Sequence, residues 1–242
     1  MKIALLGYGK MGKAIAQVVA EQYANCHEIV LCIDSKNRGE IGVSSLQMAD
    51  VVIEFSRPEA VFDNLMLCFA ARVPVVCGTT GWQHLYLDNI KEICETQGQA
   101  LLHAANFSVG VQIFLALNRY LAGLMKNQTE YALQIDEIHH TQKLDAPSGT
   151  ALLLAGDIMA QNPHKHSWIN HESSQNDQIP ILSHRQPDVK GTHIVRYTSP
   201  IDSLEISHVA HSRQGFAQGA VIAAEWLQGK KGVFTMRDVL AL

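Results

Sequence analysis

Three glycines set between a strand and a helix constrain the fold of this chain more than any other feature. Lys2-Ile-Ala-Leu-Leu-Gly7 is a short apolar strand that runs into Gly7-Tyr8-Gly9-Lys10-Met11-Gly12. Lys13-Ala-Ile-Ala-Gln-Val-Val-Ala20 follows as an amphipathic helix. G-x-G-x-x-G in that setting is the fingerprint of a dinucleotide-binding βαβ unit. Each glycine has a physical task. Gly7 permits the tight turn, Gly9 lets backbone approach a pyrophosphate, and Gly12 lets the helix lie close to the strand. A second apolar strand, Glu28-Ile-Val-Leu-Cys-Ile-Asp34, ends in an acid where a ribose hydroxyl would be met. Together these predict a nicotinamide dinucleotide site, with the segment Gly7 to Gly12 at the pyrophosphate and Asp34 at the ribose.

The alternation continues. Asp50 to Phe55 reads as a strand, Pro58 to Ala71 as a helix with proline at its start, and Val73 to Cys77 as a strand. A helix near Trp82 to Thr96 and the strand Ala100 to Ala104 complete it. Apolar strands interleaved with helices specify a parallel, doubly wound sheet of the Rossmann type. Ligands bind such sheets beyond the carboxyl ends of the strands. The turns Phe55-Ser56-Arg57, Gly78-Thr79-Thr80 and Ala104-Ala105-Asn106-Phe107 fall there, so each is expected to touch cofactor.

The pattern then changes. Tyr131 to Ile138, Thr192 to Thr198 and Ser203 to His208 alternate with period two, as in an open, mostly antiparallel sheet covered on one side. Alternation also puts Asp136 and Glu137 on opposite faces, which argues against a paired-carboxylate site. The polar stretch from Gln161 to Gln178 reads as a flexible loop. A helix from Gly215 to Leu227 and the tail Val233 to Leu240 read as a return to the first sheet. The expected fold is therefore α/β: a dinucleotide-binding domain of residues 1–109 and 216–242, and a second α+β domain of residues 110–215 with an open mixed sheet.

Of the 242 residues 47% are hydrophobic, enough for a sizeable core, and the net charge of −4 supplies no basic surplus for nucleic acid. No apolar run approaches the ~18 residues of a membrane span. The first apolar run is broken at once by Gly7-Tyr8-Gly9-Lys10, unlike a signal peptide. The five cysteines are odd in number and form no C-x-x-C pair, so buried reduced thiols are expected, with no disulfide and no metal site. A cytoplasmic protein with neither nucleic-acid nor membrane partners is the expectation.

The chemistry concentrates in Glu137-Ile-His139-His140-Thr-Gln-Lys143-Leu-Asp-Ala-Pro-Ser148-Gly149-Thr150. Two imidazoles and an ammonium this close can donate protons and hold anions. Ser148 reads as the N-cap of a helix continuing through Gly149, Thr150 and a leucine run. A helix N-terminus beside cations suits a carboxylate or phosphate. His184, Arg185, His193 and Arg213 add cations in the same half of the chain. The first three read as strand-surface residues, and Arg213 as either a domain-bridging cation or an exposed arginine.

These pieces, in this order, resemble the 4-hydroxy-tetrahydrodipicolinate reductase (dihydrodipicolinate reductase) family of lysine and diaminopimelate biosynthesis over nearly the whole chain. The resemblance rests on Gly7 to Gly12, Phe55-Ser-Arg-Pro58, Gly78-Thr-Thr-Gly81, Ala105 to Gly110, Glu137 to His140, Lys143 to Thr150 and Ser212 to Phe216. It implies reduction of a cyclic dicarboxylate imine, formed by loss of water, to tetrahydrodipicolinate with NADH or NADPH, in a homotetramer joined through the second-domain sheets. It further implies that His139 is the acid/base and Lys143 the second proton donor. His140, Ser148, Gly149 and Thr150 would bind the substrate's carboxylates. The chain departs from the family at Thr141-Gln142, where more basic residues are usual, and at Glu54, where a shorter Asp is usual. Ser35 stands where relatives often place an arginine for a 2′-phosphate, which leaves NADH expected to serve at least as well as NADPH. A Rossmann dehydrogenase of another substrate class, or a non-catalytic nucleotide-binding regulator, would lack the His-His-x-x-Lys and Pro-Ser-Gly-Thr string.

Overall fold

The computed structural model describes every residue except Ser174 and Arg213. The elements follow one another as strand β1 (Lys2–Leu6), helix α1 (Lys10–Gln22), β2 (Glu28–Ile33), α2 (Val43–Leu46), β3 (Val51–Glu54) and α3 (Pro58–Ala70). Then come β4 (Val75–Cys77), α4 (Gln83–Gln97), β5 (Ala100–His103), α5 (Val109–Met125), β6 (Ala132–His139), α6 (Gly149–Gln161) and β7 (Ser167–Ile169). The chain ends with β8 (Gln178–Arg185), β9 (Thr192–Thr198), β10 (Ser203–Val209), α7 (Gln214–Leu227), β11 (Gly232–Phe234) and α8 (Met236–Leu240).

Two compact units result. The first comprises Met1–Val109 and Gln214–Leu242, the second Gly110–Arg213. The return to the first unit thus comes two residues before the expected 216, because α7 already begins at Gln214. In the first unit six parallel strands lie in the order β11-β5-β4-β3-β1-β2. Alternate residues feed opposite faces. Ile3, Leu5, Ile53 and Leu102 pack with Ile15, Val18, Ala220 and Ala224 on one face. Ala4, Leu6, Val52 and Leu101 pack with Val61, Leu65 and Ile90 on the other. Burial on both faces is why these strands are apolar throughout rather than alternating. Pro58 opens α3 and Gly98, in the left-handed region, closes α4. Helix α7 lies against bare backbone: a Cβ on Gly219 would fall 1.8 Å from the Phe107 carbonyl oxygen.

In the second unit five strands are ordered β10-β9-β6-β8-β7. The pairs β10/β9 and β9/β6 are antiparallel, whereas β6/β8 and β8/β7 are parallel. The expectation of a mostly antiparallel sheet is corrected to an even mixture. The cause is α6, which carries the chain across the sheet after β6, and a helical crossover returns it in the same direction. The presumed loop from Gln161 to Gln178 likewise contains the short edge strand β7. Helices α5 and α6 cover one face, where Phe114, Leu154 and Ile158 pack on Ile135, Ile181 and Val195.

Candidate active site

Strand β6 carries Leu133, Ile135, Glu137 and His139 on its helix-covered face and Gln134, Asp136 and Ile138 on the other. The first two anchor the core, and the polar pair emerges at the end of the strand. Contacts confirm the division. Asp136 meets His184 at 3.3 Å and Arg196 at 3.3 Å on the open face, whereas Glu137 meets His139 and Arg185.

Glu137 is fully buried, with Oε2 2.7 Å from His139 Nδ1 and Oε1 accepting from Arg185 Nη1 at 3.2 Å. Burial alone would raise its pKa, but hydrogen bonds from His139, Ser183 and Ser148 outweigh that and hold it well below the usual carboxylate range. His193 on β9 sits in register opposite Glu137. Its ring meets that of His139 edge-on, with centroids 5.1 Å apart, and its Nε2 lies 3.0 Å from Ser148 Oγ. Burial, reinforced by the neighbouring charges of His139, His208 and Lys143 and opposed by Glu137, pushes His193 down to about 4, so it is neutral near pH 7.

Ser148 caps α6 as expected: its Oγ accepts from Ala151 N at 3.2 Å. The amides of Gly149 and Thr150 in the first turn have no intrahelical acceptor and are open to an anion. Between β6 and α6, Lys143 N donates to His140 O at 3.1 Å, and Lys143 Nζ donates to both carboxylate oxygens of Asp145, at 2.8 and 2.7 Å. That ammonium holds the Asp145 carboxyl below its ordinary value. His140, Lys143 and Thr150 are partly exposed and Gly149 is exposed. A buried carboxylate–imidazole pair, a partly exposed ammonium and the capped start of α6 therefore share one corner of the second unit.

A cavity in the first unit encloses about 470 Å³ and is lined by Gly7, Tyr8, Gly9, Asp34, Ser35, Arg38, Phe55, Ser56, Arg57 and Asn64 among others. The glycine turn fits a dinucleotide. Gly7 (φ +94°) admits no side chain, since a Cβ there would fall 2.1 Å from the Phe55 carbonyl oxygen, whereas Gly9 has nothing within 4 Å of that position. The open space above Gly9 leaves its backbone accessible to a ligand phosphate. Asp34 receives the Lys36 amide on Oδ1 at 2.7 Å. Lys10, Met11 and Gly12 form the first turn of α1. Gly78, Thr79 and Thr80 follow β4, and Ala104, Ala105, Asn106 and Phe107 follow β5, at the carboxyl ends of their strands.

Some expectations need revision. Phe107 is 2% exposed and packs against Phe55 in the core, so its side chain is not open to a ligand. Thr79 is buried, and its carbonyl accepts from Trp82 Nε1 at 2.8 Å. Cys26 is exposed rather than buried, and all five cysteines are free. Arg185 and His193, read as surface residues, belong to the His139 cluster, and Arg213 lies outside the described residues. Glu54 shows why a longer acid stands before the Phe55 turn. It is fully buried, accepts from Ser56 and from Asn64 Nδ2 at 3.2 Å, and so holds two residues that line the first-unit cavity. An acid ending an apolar strand was the available signal for it. Glu137, His139 and His193 also place possible metal ligands within 4.8 Å of one another, a grouping their linear spacing conceals. The Arg185 guanidinium already compensates that carboxylate, which makes the group a poor host for a dication.

Residues 1–107 match the family model described as dihydrodipicolinate reductase, N-terminus, and residues 110–240 the model for its C-terminus. A 4-hydroxy-tetrahydrodipicolinate reductase of Christiangramia forsetii is 47% identical over 241 residues, covering 100% of this chain and 98% of the relative. The dipicolinate-bound dihydrodipicolinate reductase from Paenisporosarcina sp. TG-14 superposes with a TM-score of 0.77 at 26% identity, over 97% of both chains. An amine dehydrogenase from Mycobacterium smegmatis shares the fold, with a TM-score of 0.63 at 8% identity over 96% of this chain and 94% of that one.

Proposed function

The chain belongs to the dihydrodipicolinate reductase family, and on that premise we propose how its own residues carry the pyridine-nucleotide-dependent reduction of 4-hydroxy-tetrahydrodipicolinate, by way of the dehydrated imine, to tetrahydrodipicolinate. The observation that carries the reading is the buried Glu137–His139 pair beside Lys143 and the capped start of α6. Reduction of a conjugated imine needs a hydride at one ring carbon and a proton at its neighbour. When bound, the reduced nicotinamide supplies the hydride. His139 delivers the proton, and Lys143 donates toward the ring nitrogen. His140, Ser148 and the amides of Gly149 and Thr150 hold the two carboxylates, in keeping with the dipicolinate bound to the related Paenisporosarcina enzyme.

For the cofactor, backbone from Gly7 to Gly12 takes the pyrophosphate and Asp34 the adenosine ribose. Phe55–Ser56, Gly78–Thr80 and Ala104–Phe107 complete the cofactor-contacting turns. Arg38 and Arg57 line the same cavity as Asp34 and offer cations to a 2′-phosphate. Both NADH and NADPH are therefore accepted, with NADH at least as effective, because Asp34 repels a 2′-phosphate. The enzyme works as a cytoplasmic homotetramer joined through the uncovered faces of the second-unit sheets, where Ile138, Leu182 and Ile194 lie among the ion pairs of Asp136, Arg196 and Glu205. Among the described residues no helix is long and apolar enough to cross a membrane. A light-scattering mass other than four times that of one chain would overturn the assembly.

The deciding experiment supplies the condensation product of pyruvate and aspartate semialdehyde and follows NADH or NADPH absorbance. Substrate-dependent oxidation of both cofactors is expected. No oxidation would overturn the reaction, and an NADPH preference of about 100-fold in kcat/KM, about 2.7 kcal/mol, would overturn the cofactor assignment.

A further inference from the structure

We infer that Glu137 is the positioning residue for His139, holding the imidazole by Nδ1 so that Nε2 is the nitrogen that gives up the proton; this rests on the reading of His139 as the proton donor. The geometry sets Glu137 against the imidazole. It is fully buried, its Oε2 stands 2.7 Å from His139 Nδ1, and its Oε1 accepts from Arg185. A buried carboxylate is costly to maintain unless it is compensated, and here the Arg185 guanidinium donates to Oε1 while the His139 ring stands within ion-pair distance of Oε2.

The other side of the imidazole faces Gly191. Gly191 stands over Nε2: a Cβ there would lie 3.3 Å from that atom, and at φ +153° the position disfavours a side chain in any case. The region around Nε2 is thus kept clear by a residue without a side chain, while Nδ1 is covered by Glu137. His193 closes the remaining flank edge-on, and its Nε2 is directed to Ser148 Oγ rather than to His139. An imidazole bound this way has one nitrogen committed and one free.

The proton balance is simple. In the charged ring both nitrogens carry protons. The Nε2–H bond breaks and its electron pair stays on Nε2, while the C=C π pair of the enamine left by hydride addition forms the new C–H bond at the carbon beside the hydride acceptor and the nitrogen lone pair restores the C=N bond. The ring left behind is neutral with its proton on Nδ1, which is the tautomer that a carboxylate acceptor at Nδ1 stabilises. Water re-protonates Nε2 before the next turnover. Without the carboxylate the neutral ring would drift toward the Nε2–H tautomer, and its orientation would loosen.

The test combines nitrogen NMR of imidazole-labelled enzyme with a double-mutant cycle. In the unmodified enzyme with the His139 ring neutral, the resonance absent from the His139→Gln variant should report Nδ1–H with an unprotonated Nε2; an Nε2–H signal would overturn the inference, and this measurement requires no variant of Glu137 to fold. Glu137→Gln should lower kcat about 10- to 10³-fold with KM for the nucleotide unchanged. His139→Gln should lower it about 10²–10⁴-fold. The double variant should match His139→Gln within about threefold, since a positioning residue has nothing left to position. Losses that multiply, or full turnover in Glu137→Gln beside a crippled His139→Gln, would refute the positioning role and leave His139 in place. Full turnover in His139→Gln would instead remove the reading on which the inference stands.

Discussion

Arg185 Nε donates to the main-chain carbonyl of Lys143 at 3.2 Å, although the two residues are 42 positions apart in sequence. The same guanidinium donates to the Asp145 carbonyl at 2.7 Å and to Glu137 Oε1 at 3.2 Å. One side chain from β8 therefore fixes the loop that presents the ammonium and the carboxylate that grips His139. Arg185→Ala should leave Glu137 buried with only His139 for compensation. We expect a loss of about 2–4 kcal/mol in urea unfolding, large because an orphaned buried charge is costly. A loss below about 0.5 kcal/mol would mean the guanidinium is decorative.

Lys143→Ala should impair turnover and substrate binding together, lowering kcat/KM for the dicarboxylate about 10²–10⁴-fold while KM for the nucleotide is unmoved. Steady-state kinetics with each substrate varied separates the two. Near-normal turnover would return Lys143 to the status of a solvated lysine paired with Asp145.

Acid should destabilise the second unit in two stages. The folded pKa of His193 lies below its ordinary 6.5, at about 4, so the unfolded state binds more protons between those values. Stability is complete above about pH 6.5 and falls by about 3 kcal/mol as the pH drops to about 4. Glu137 has a depressed folded pKa, so its contribution is present above the ordinary 4.5 and is lost as the pH falls below it. Urea unfolding across this range should show a slope that His193→Asn removes at its upper end. A flat profile from pH 7 to 5 would contradict the burial of a neutral His193.

The glycine turn should separate folding from binding. Gly9→Ala has open space for its methyl group, so stability should stay within about 0.5 kcal/mol while KM for the nucleotide rises about tenfold or more. Gly7→Ala, with its Cβ 2.1 Å from the Phe55 carbonyl oxygen and φ at +94°, should compromise folding itself. Equal effects at both positions would argue that neither faces the dinucleotide.

The first unit was legible because its determinants are local. Apolar β1, the glycines after it and Asp34 at the end of β2 are contiguous, and a parallel sheet buried on both faces writes itself as unbroken apolar runs. The cap at Ser148 was legible for the same reason: serine, glycine and threonine before a leucine run dictate a helix start by short-range hydrogen bonding.

What tertiary structure alone decided is the company these residues keep. Sequence spacing placed His139, His140 and Lys143 together, but Arg185 and His193 reach His139 and Glu137 only through the pairing of β8 and β9 with β6. Half of that pairing is parallel because α6 intervenes. Glu137 stands two residues from His139 and offers no linear cue to its role, since a strand acid is ordinarily solvated. Its function follows from being sealed on the helix-covered face with an imidazole and a guanidinium as its charged neighbours. Local chemistry is set by neighbours in the chain, whereas a buried charge is defined by neighbours in space, and strand register chooses them.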